Sequence, residues 1–260
     1  MSIPRIIHYC WLSNDPVPEA MKQYTEGWRR VLPDYEFVKW DLTRFEKEAS
    51  VWVSEAFENK KYAFASDYIR AYAVYHYGGI YLDMDVEVIK PFDALLDRPY
   101  MFAFERPNRS AIEAGCFGAE RHDPFLKACL DYYENRHFRI ADGIFDMLPM
   151  SKVMIGVMRE RDMHLRLYSW ETFTAKSQLT GIETPGSNTF AIHHFTGLWN
   201  SEEERRITEK ARRIRGAHPI VGKLPAFVYE KTRKAMETLK TGGARALLYR
   251  IRQYLRASRV

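Results

Sequence analysis

An α/β fold, with a buried sheet covered by helices, is predicted by three features of this 260-residue chain. Its first forty residues read β-α-β, a helix runs through a glycine pair into a short apolar strand, and helical periodicity alone remains after about residue 201. The run Arg5 to Trp11 is apolar and β-branched near its start, as a buried strand requires. Met21, Tyr24, Trp28 and Val31 then recur at helical spacing through residues 18–31, until Pro33 and Asp34 end the helix. Tyr35 to Trp40 alternates as a second strand, an order that favours parallel pairing.

Helical patterning resumes near residue 43 and again from Ala65 to Tyr77, where Gly78 and Gly79 supply a left-handed stop. Ile80 to Leu82 is the next strand. Extended character is expected from Asp83 to Val88, Pro91 closes it, and Tyr100 to Phe104 is a further strand candidate. Residues 123–137 read as helix, and residues 164–168 and 189–194 as strand-like pieces. Ser201 and Glu204 have capping-box spacing, and a final amphipathic helix is expected over about 243–257.

With 46% hydrophobic and 14% aromatic residues the chain can bury a full core. No apolar run approaches the roughly 20 residues a spanning helix needs. The start at Met1 lacks a long apolar leader, so a cytoplasmic protein is expected. Cys10, Cys116 and Cys129 are odd in number and lie in apolar surroundings, which predicts buried free thiols. The net charge of +5 is unevenly placed: residues 205–260 hold 16 Lys/Arg against 3 Asp/Glu, leaving 23 against 31 in residues 1–204. A division follows into a mildly acidic domain, 1–204, and a basic helical appendage, 205–260.

Within Leu82 to Glu87, a period of two sets Asp83, Asp85 and Glu87 opposite Leu82, Met84 and Val86. Two neighbouring carboxylates repel unless solvent or a cation lies between them. Oxygen ligands suit a hard ion such as Mg²⁺ or Mn²⁺, which keeps positions open for phosphates; a solvated acidic loop is the plain alternative. Asp67 and Arg70, three apart on the preceding helix, form either an intrahelical ion pair or a contact set for a diphosphate and sugar hydroxyls. Trp11, at the end of the first strand, reads as core by itself.

The run from Lys61 to Asp93, with Ser66-Asp67-x-x-Arg70, Gly78-Gly79-Ile80-Tyr81-Leu82-Asp83 and the Asp-x-Asp pair, closely resembles the signature region of glycosyltransferase family 32. This group includes capsular-polysaccharide sugar transferases and yeast-type mannosyltransferases, and is related to clostridial glucosylating toxins. Ile3 to Trp11 and Ala191 to Trp199 resemble the family's start and end. The resemblance implies a GT-A-like, single Rossmann-type nucleotide-sugar-binding domain with a mixed sheet, followed by the helical appendage. It implies a metal-dependent hexosyltransferase that retains anomeric configuration. The donor would be a UDP-sugar or a GDP-sugar, and the acceptor a glycan or lipid-linked saccharide in cell-surface polysaccharide synthesis.

By the same resemblance, Asp83 and Asp85 hold Mn²⁺ or Mg²⁺ against the donor diphosphate, and Asp67 and Arg70 contact donor sugar and phosphates. Trp11 stacks on the base and Trp199 closes over the diphosphate. Of His193 and His194, adjacent on an extended segment, His193 is the preferred third metal ligand, and its imidazole tilts the choice toward Mn²⁺. Glu105, Arg106 and Glu113 fall where related folds shape an acceptor pocket; read by themselves they are solvated loop charges.

Two other classes compete. Tyr81 to Val86 also resembles the nucleophile motif of haloacid-dehalogenase phosphatases, in which Asp83 would attack phosphate. The basic tail alone would make a binding module. Without aromatic residues interleaved on a β surface, nucleic acid is not the expected partner, and an anionic membrane surface at the inner face fits the Arg-rich helix better. A helical appendage docked on the core fits it too.

Overall fold

The computed structural model describes residues 2–197, 202–217 and 223–259. Strand β1 (Ile6–Cys10) leads into α1 (Glu19–Val31) and β2 (Glu36–Trp40). Helices α2 (Val51–Glu58) and α3 (Tyr62–Tyr77) precede β3 (Gly79–Leu82) and β4 (Val86–Val88). Then come β5 (Tyr100–Met101), β6 (Cys116–Ala119), α4 (Pro124–Tyr133), the hairpin of β7 (Arg139–Ala141) and β8 (Ile144–Phe145), α5 (Met150–Glu160) and β9 (Ala191–His193). Helices α6 (Glu202–Ala217) and α7 (Lys223–Arg259) follow.

The main sheet has the order β2-β1-β3-β6-β5. Strand β1 runs parallel to β2 and β3, while β6 is antiparallel to β3 and β5, so the sheet is mixed. Side chains alternate across it. Ile80, Leu82 and Cys116 join Trp28 of α1 in one core, whereas Tyr81 and Phe117 join Trp40, Trp52, Phe64 and Phe138 in the other. Helices therefore cover both faces, and the carboxyl ends of β1, β2 and β3 share one edge, where α/β sheets characteristically bind ligands.

The turn from α3 into β3 depends on glycine. Gly78 has φ 68° and Gly79 φ 101°, and a Cβ on Gly79 would lie 2.6 Å from the Ile6 carbonyl oxygen. All three cysteines are free, with Cys116 and Cys129 buried and Cys10 partly so.

Several expected elements differ. Asp83 to Val86 is a turn, closed by Val86 N donating to Asp83 O at 2.9 Å, so the carboxylates do not share one strand face. The chain restarts as β4, which pairs with β9 in a separate two-stranded sheet. Only Tyr100 and Met101 of the expected 100–104 strand pair with β6. Residues 164–168 contribute a single bridge, Tyr168 to Ala103. Helix α4 ends at Tyr133, four residues short of expectation. The last helix, expected over about 243–257, does begin where expected, because α7 (Lys223–Arg259) is broken at Gly243 with φ 68° into two helices. Ser201, of the expected capping box, lies outside the described residues.

Candidate metal and donor site

The site forms where β3 ends. Tyr81 is buried under the sheet, and its hydroxyl donates to Asp83 Oδ1 at 2.8 Å. Arg70, buried on α3, lies over the Tyr81 ring with 4.7 Å from Cζ to the centroid. Its Nη1 reaches Asp83 Oδ2 at 3.2 Å and the Ala114 carbonyl at 2.9 Å. Its Nη2 reaches Ser66 Oγ at 2.9 Å and Asp67 Oδ1 at 3.2 Å. The guanidinium fork is thus occupied by protein acceptors that fix Asp83 from below. Burial pushes the Asp67 carboxyl up to about 7, against the pull of Arg70 and with the push of Asp83. Burial opposes the Arg70 charge, yet Asp83, Tyr81 and Asp67 together hold that group well above its ordinary value.

Asp85 is held differently. Its Oδ2 accepts from Thr196 N at 2.8 Å and Thr196 Oγ1 at 2.9 Å, and its Oδ1 faces His193 Nε2 at 3.4 Å. Burial works against the Asp85 charge but is outweighed by His193 and the Thr196 donors, which keep the carboxyl well below the carboxylate range. The pairing of Val86 with His193 across β4 and β9 brings these two side chains, far apart in sequence, to one spot.

The other imidazole nitrogen, His193 Nδ1, meets Glu113 Oε1 at 2.9 Å. Glu113 is fully buried, so the reading of it as a solvated loop charge is corrected. Its Oε1 also accepts from Gly115 N at 2.7 Å and its Oε2 from Thr174 Oγ1 at 2.6 Å. Burial disfavours charge on both Glu113 and His193, but His193 with the Thr174 and Gly115 donors holds the Glu113 carboxyl low, and Glu113 with Asp85 holds the imidazole well above its ordinary value. Glu105 is likewise buried rather than solvated, and pairs with Arg106 at 2.7 Å. Arg106 also bonds Gln178.

One ligand atom each from Asp83, Asp85 and His193 lies within 4.8 Å of the others, a set able to hold a metal ion. The donor chemistry fits a divalent cation. Glu113 on Nδ1 fixes the ring and leaves Nε2 facing the carboxylates, the arrangement by which metal-binding histidines are oriented. Space is reserved as well: a Cβ on Gly115 would stand 2.6 Å from His193 Cε1 and 2.9 Å from Asp83 Oδ2. Glu113, Gly115, Thr174 and Thr196 were not singled out from sequence as parts of the metal set. The available signal is a lone carboxylate inside the small and apolar run from Ala111 to Ala119.

His194 turns away from this set. Its Nε2 meets Glu87 at 2.9 Å and its ring stacks on Tyr24 with centroids 4.8 Å apart. Trp11 follows β1 at the sheet's carboxyl edge, donates from Nε1 to Asp15 O at 2.9 Å, and lines a cavity of about 190 Å³ with Leu12, Lys39, Asp41, Leu42 and Phe57. Trp199 lies outside the described residues.

Residues 18–102, which hold Asp67, Arg70, Asp83 and Asp85, match the family model described as a glycosyltransferase sugar-binding region containing a DXD motif. A mannosyl phosphorylinositol ceramide synthase of Saccharomyces cerevisiae is 33% identical over 143 residues, covering 52% of this chain and 37% of that protein. Inositol phosphoceramide mannosyltransferase 1 of Schizosaccharomyces pombe is 30% identical over 155 residues, 55% of this chain and 47% of that one. The chain therefore spans less than half the length of these curated relatives. Among solved structures, the PaToxG glycosyltransferase superposes with a TM-score of 0.50 at 16% identity, over 62% of this chain and 70% of that one. The fold is α/β with the expected GT-A-like mixed sheet.

Proposed function

We propose that this chain is a metal-dependent glycosyltransferase that moves a hexosyl group from a nucleotide-sugar to a hydroxyl of a glycan or lipid-linked acceptor. The observation that carries this reading is the convergence of Asp83, Asp85 and His193 at the end of β3, with Glu113 orienting the imidazole. A divalent cation held there, Mn²⁺ in preference to Mg²⁺ because imidazole joins the carboxylates, would neutralise charge building on the departing diphosphate. Arg70 and Tyr81 position Asp83, and Thr196 positions Asp85, so neither carboxylate must reorganise as that charge develops. Asp67 acts through Arg70. Trp11 presents an indole face for the donor base, a sequence-tolerant contact.

The transfer retains anomeric configuration. The anomeric C–O bond to the diphosphate breaks, the bond to the acceptor oxygen forms on the same face, and the acceptor's proton leaves on the diphosphate oxygen. The relatives named above bring mannosyl donors, alongside the UDP-hexoses favoured by resemblance, to the front of the panel. Their names also make a lipid bearing an inositol phosphate the first acceptor to try, with polysaccharide acceptors next.

The test is a panel of UDP- and GDP-hexoses with and without Mn²⁺, read by thermal shift and by transfer, with NMR of the new linkage. A donor that raises the melting temperature only with Mn²⁺, and a product of retained configuration, are the expected results. Turnover of a generic phosphomonoester with no donor stabilised by Mn²⁺ would replace this reading by the phosphatase one.

A further inference from the structure

The C-terminal helices leave an apolar stripe uncovered. Helices α6 and α7 pack on one another with Ile207, Ala211 and Ala226 buried, and Arg215 meets Glu230 at 2.8 Å. Helix α6 also reaches the body, where Arg212 donates to the Gln178 and Phe195 carbonyls. On the opposite side of α7, Val228, Met236 and Leu239 recur at i, i+8 and i+11, the spacing of one helix face. These three are 44–52% exposed. At 100° per residue, Lys231 falls on one flank of this stripe and Lys240 on the other. Beyond the break at Gly243, Leu248 and Ile251 repeat the pattern at 56% and 46% exposure, with Arg245 and Arg252 alongside.

Single exposed apolar side chains are ordinary, but apolar side chains that recur on one helix face, rimmed by one sign of charge, mark an interaction surface. We infer that α7 docks this protein on an anionic lipid bilayer, its apolar stripe entering the headgroup boundary while the flanking lysines and arginines meet anionic headgroups. Charge complementarity selects this occupant. Residues 205–260 carry 16 basic against 3 acidic residues, whereas the body carries 23 against 31, so an anionic surface attracts the tail and turns the body away. Nucleic acid would use the charge and leave the stripe in water. Among the described residues no helix is long and apolar enough to cross a membrane, so α7 lies on the surface. The inference goes beyond the proposed transfer reaction and does not depend on it.

The test sediments the full chain with vesicles of phosphatidylcholine alone or mixed with phosphatidylglycerol. Binding is expected only with the anionic vesicles. It weakens roughly tenfold or more in the Met236→Glu, Leu239→Glu double variant and in the Lys240→Glu, Arg245→Glu double variant. Mn²⁺-dependent stabilisation by donor, measured in solution on the same variants, stays at the wild-type level and reports the transfer reading separately. Equal binding to both vesicle types, undiminished binding by either double variant, or a protein dimer lost in the variants without vesicle binding would each overturn the inference. So would a nucleic acid that binds through the charges while the apolar double variant binds it equally well.

Discussion

His8 and His193 are both buried imidazoles in the same domain, and their surroundings drive them in opposite directions. His8 Nε2 donates to the Gly78 carbonyl at 2.8 Å, and its Nδ1 accepts from Trp40 Nε1 at 3.0 Å. With one donor and one acceptor satisfied, the neutral ring is complete, and burial pushes its pKa down to about 4. His193 faces a carboxylate on each nitrogen, and these overcome the burial that would otherwise discharge it. The first ring closes the junction between β1 and the α3 turn. Under the proposed function the second would exchange its proton for a metal ion, since a metal ligand must be neutral on the coordinating nitrogen. Burial alone therefore does not distinguish a structural histidine from a functional one; the partners on its two nitrogens do.

Substitution of the two residues should separate these roles. His193→Asn is expected to lower sugar transfer by about a thousandfold, or ~4 kcal/mol, because one ligand of three is lost. His8→Gln should leave the transfer rate near wild type. Equal losses in the two variants, in a steady-state assay at saturating Mn²⁺, would dissolve the contrast.

The pH dependence of stability is the next largest effect. Between pH 6.5 and 4 the unfolded chain takes a proton on His8 that the native ring refuses, so stability from this group is full above pH 6.5 and is lost as pH falls toward 4. The shift corresponds to about 3 kcal/mol. Urea melts at both ends of this window should show wild type losing about that much more than His8→Gln. Parallel losses would mean that His8 protonates freely in the native state.

Glu113→Gln probes the other ring. It removes the anionic partner of His193 Nδ1 while keeping the side chain's shape, and should weaken Mn²⁺ binding roughly 10- to 100-fold. An unchanged affinity in titration calorimetry would reduce Glu113 to a core residue. Gly115→Ala makes the same point sterically: its Cβ would meet His193 and Asp83, so metal binding should fall several-fold further than the change in melting temperature explains.

What was legible in the sequence follows from where each signal resides. Asp83 and Asp85 stand together behind a glycine pair and a short apolar strand, so local pattern exposes them. His193 was reachable by resemblance alone, because it joins them through pairing of Val86 with a strand more than a hundred residues away. Glu113 looked like a loop charge because a buried carboxylate is recognisable only once its three donors are assembled. Strand β6 was not expected since Cys116, Gly118 and Ala119 lack the β-branched character that marks strands; the small residues serve close approach, with a Cβ on Gly118 falling 2.9 Å from the Gly79 carbonyl oxygen. Helix α5 was not expected because Gly156 stands in its middle and its N-cap is Pro149, with no capping side chain to mark its start. The turn at Asp83 to Val86 defeated the expectation of period two, and it is that turn which points Asp85 toward His193.

The most direct measurement is Mn²⁺ binding followed by electron paramagnetic resonance on the wild type and on Asp83→Asn, Asp85→Asn. One bound ion per chain in the wild type, lost in the double variant while its circular dichroism stays native, is the predicted result. Manganese bound equally by both proteins would contradict the account at its base.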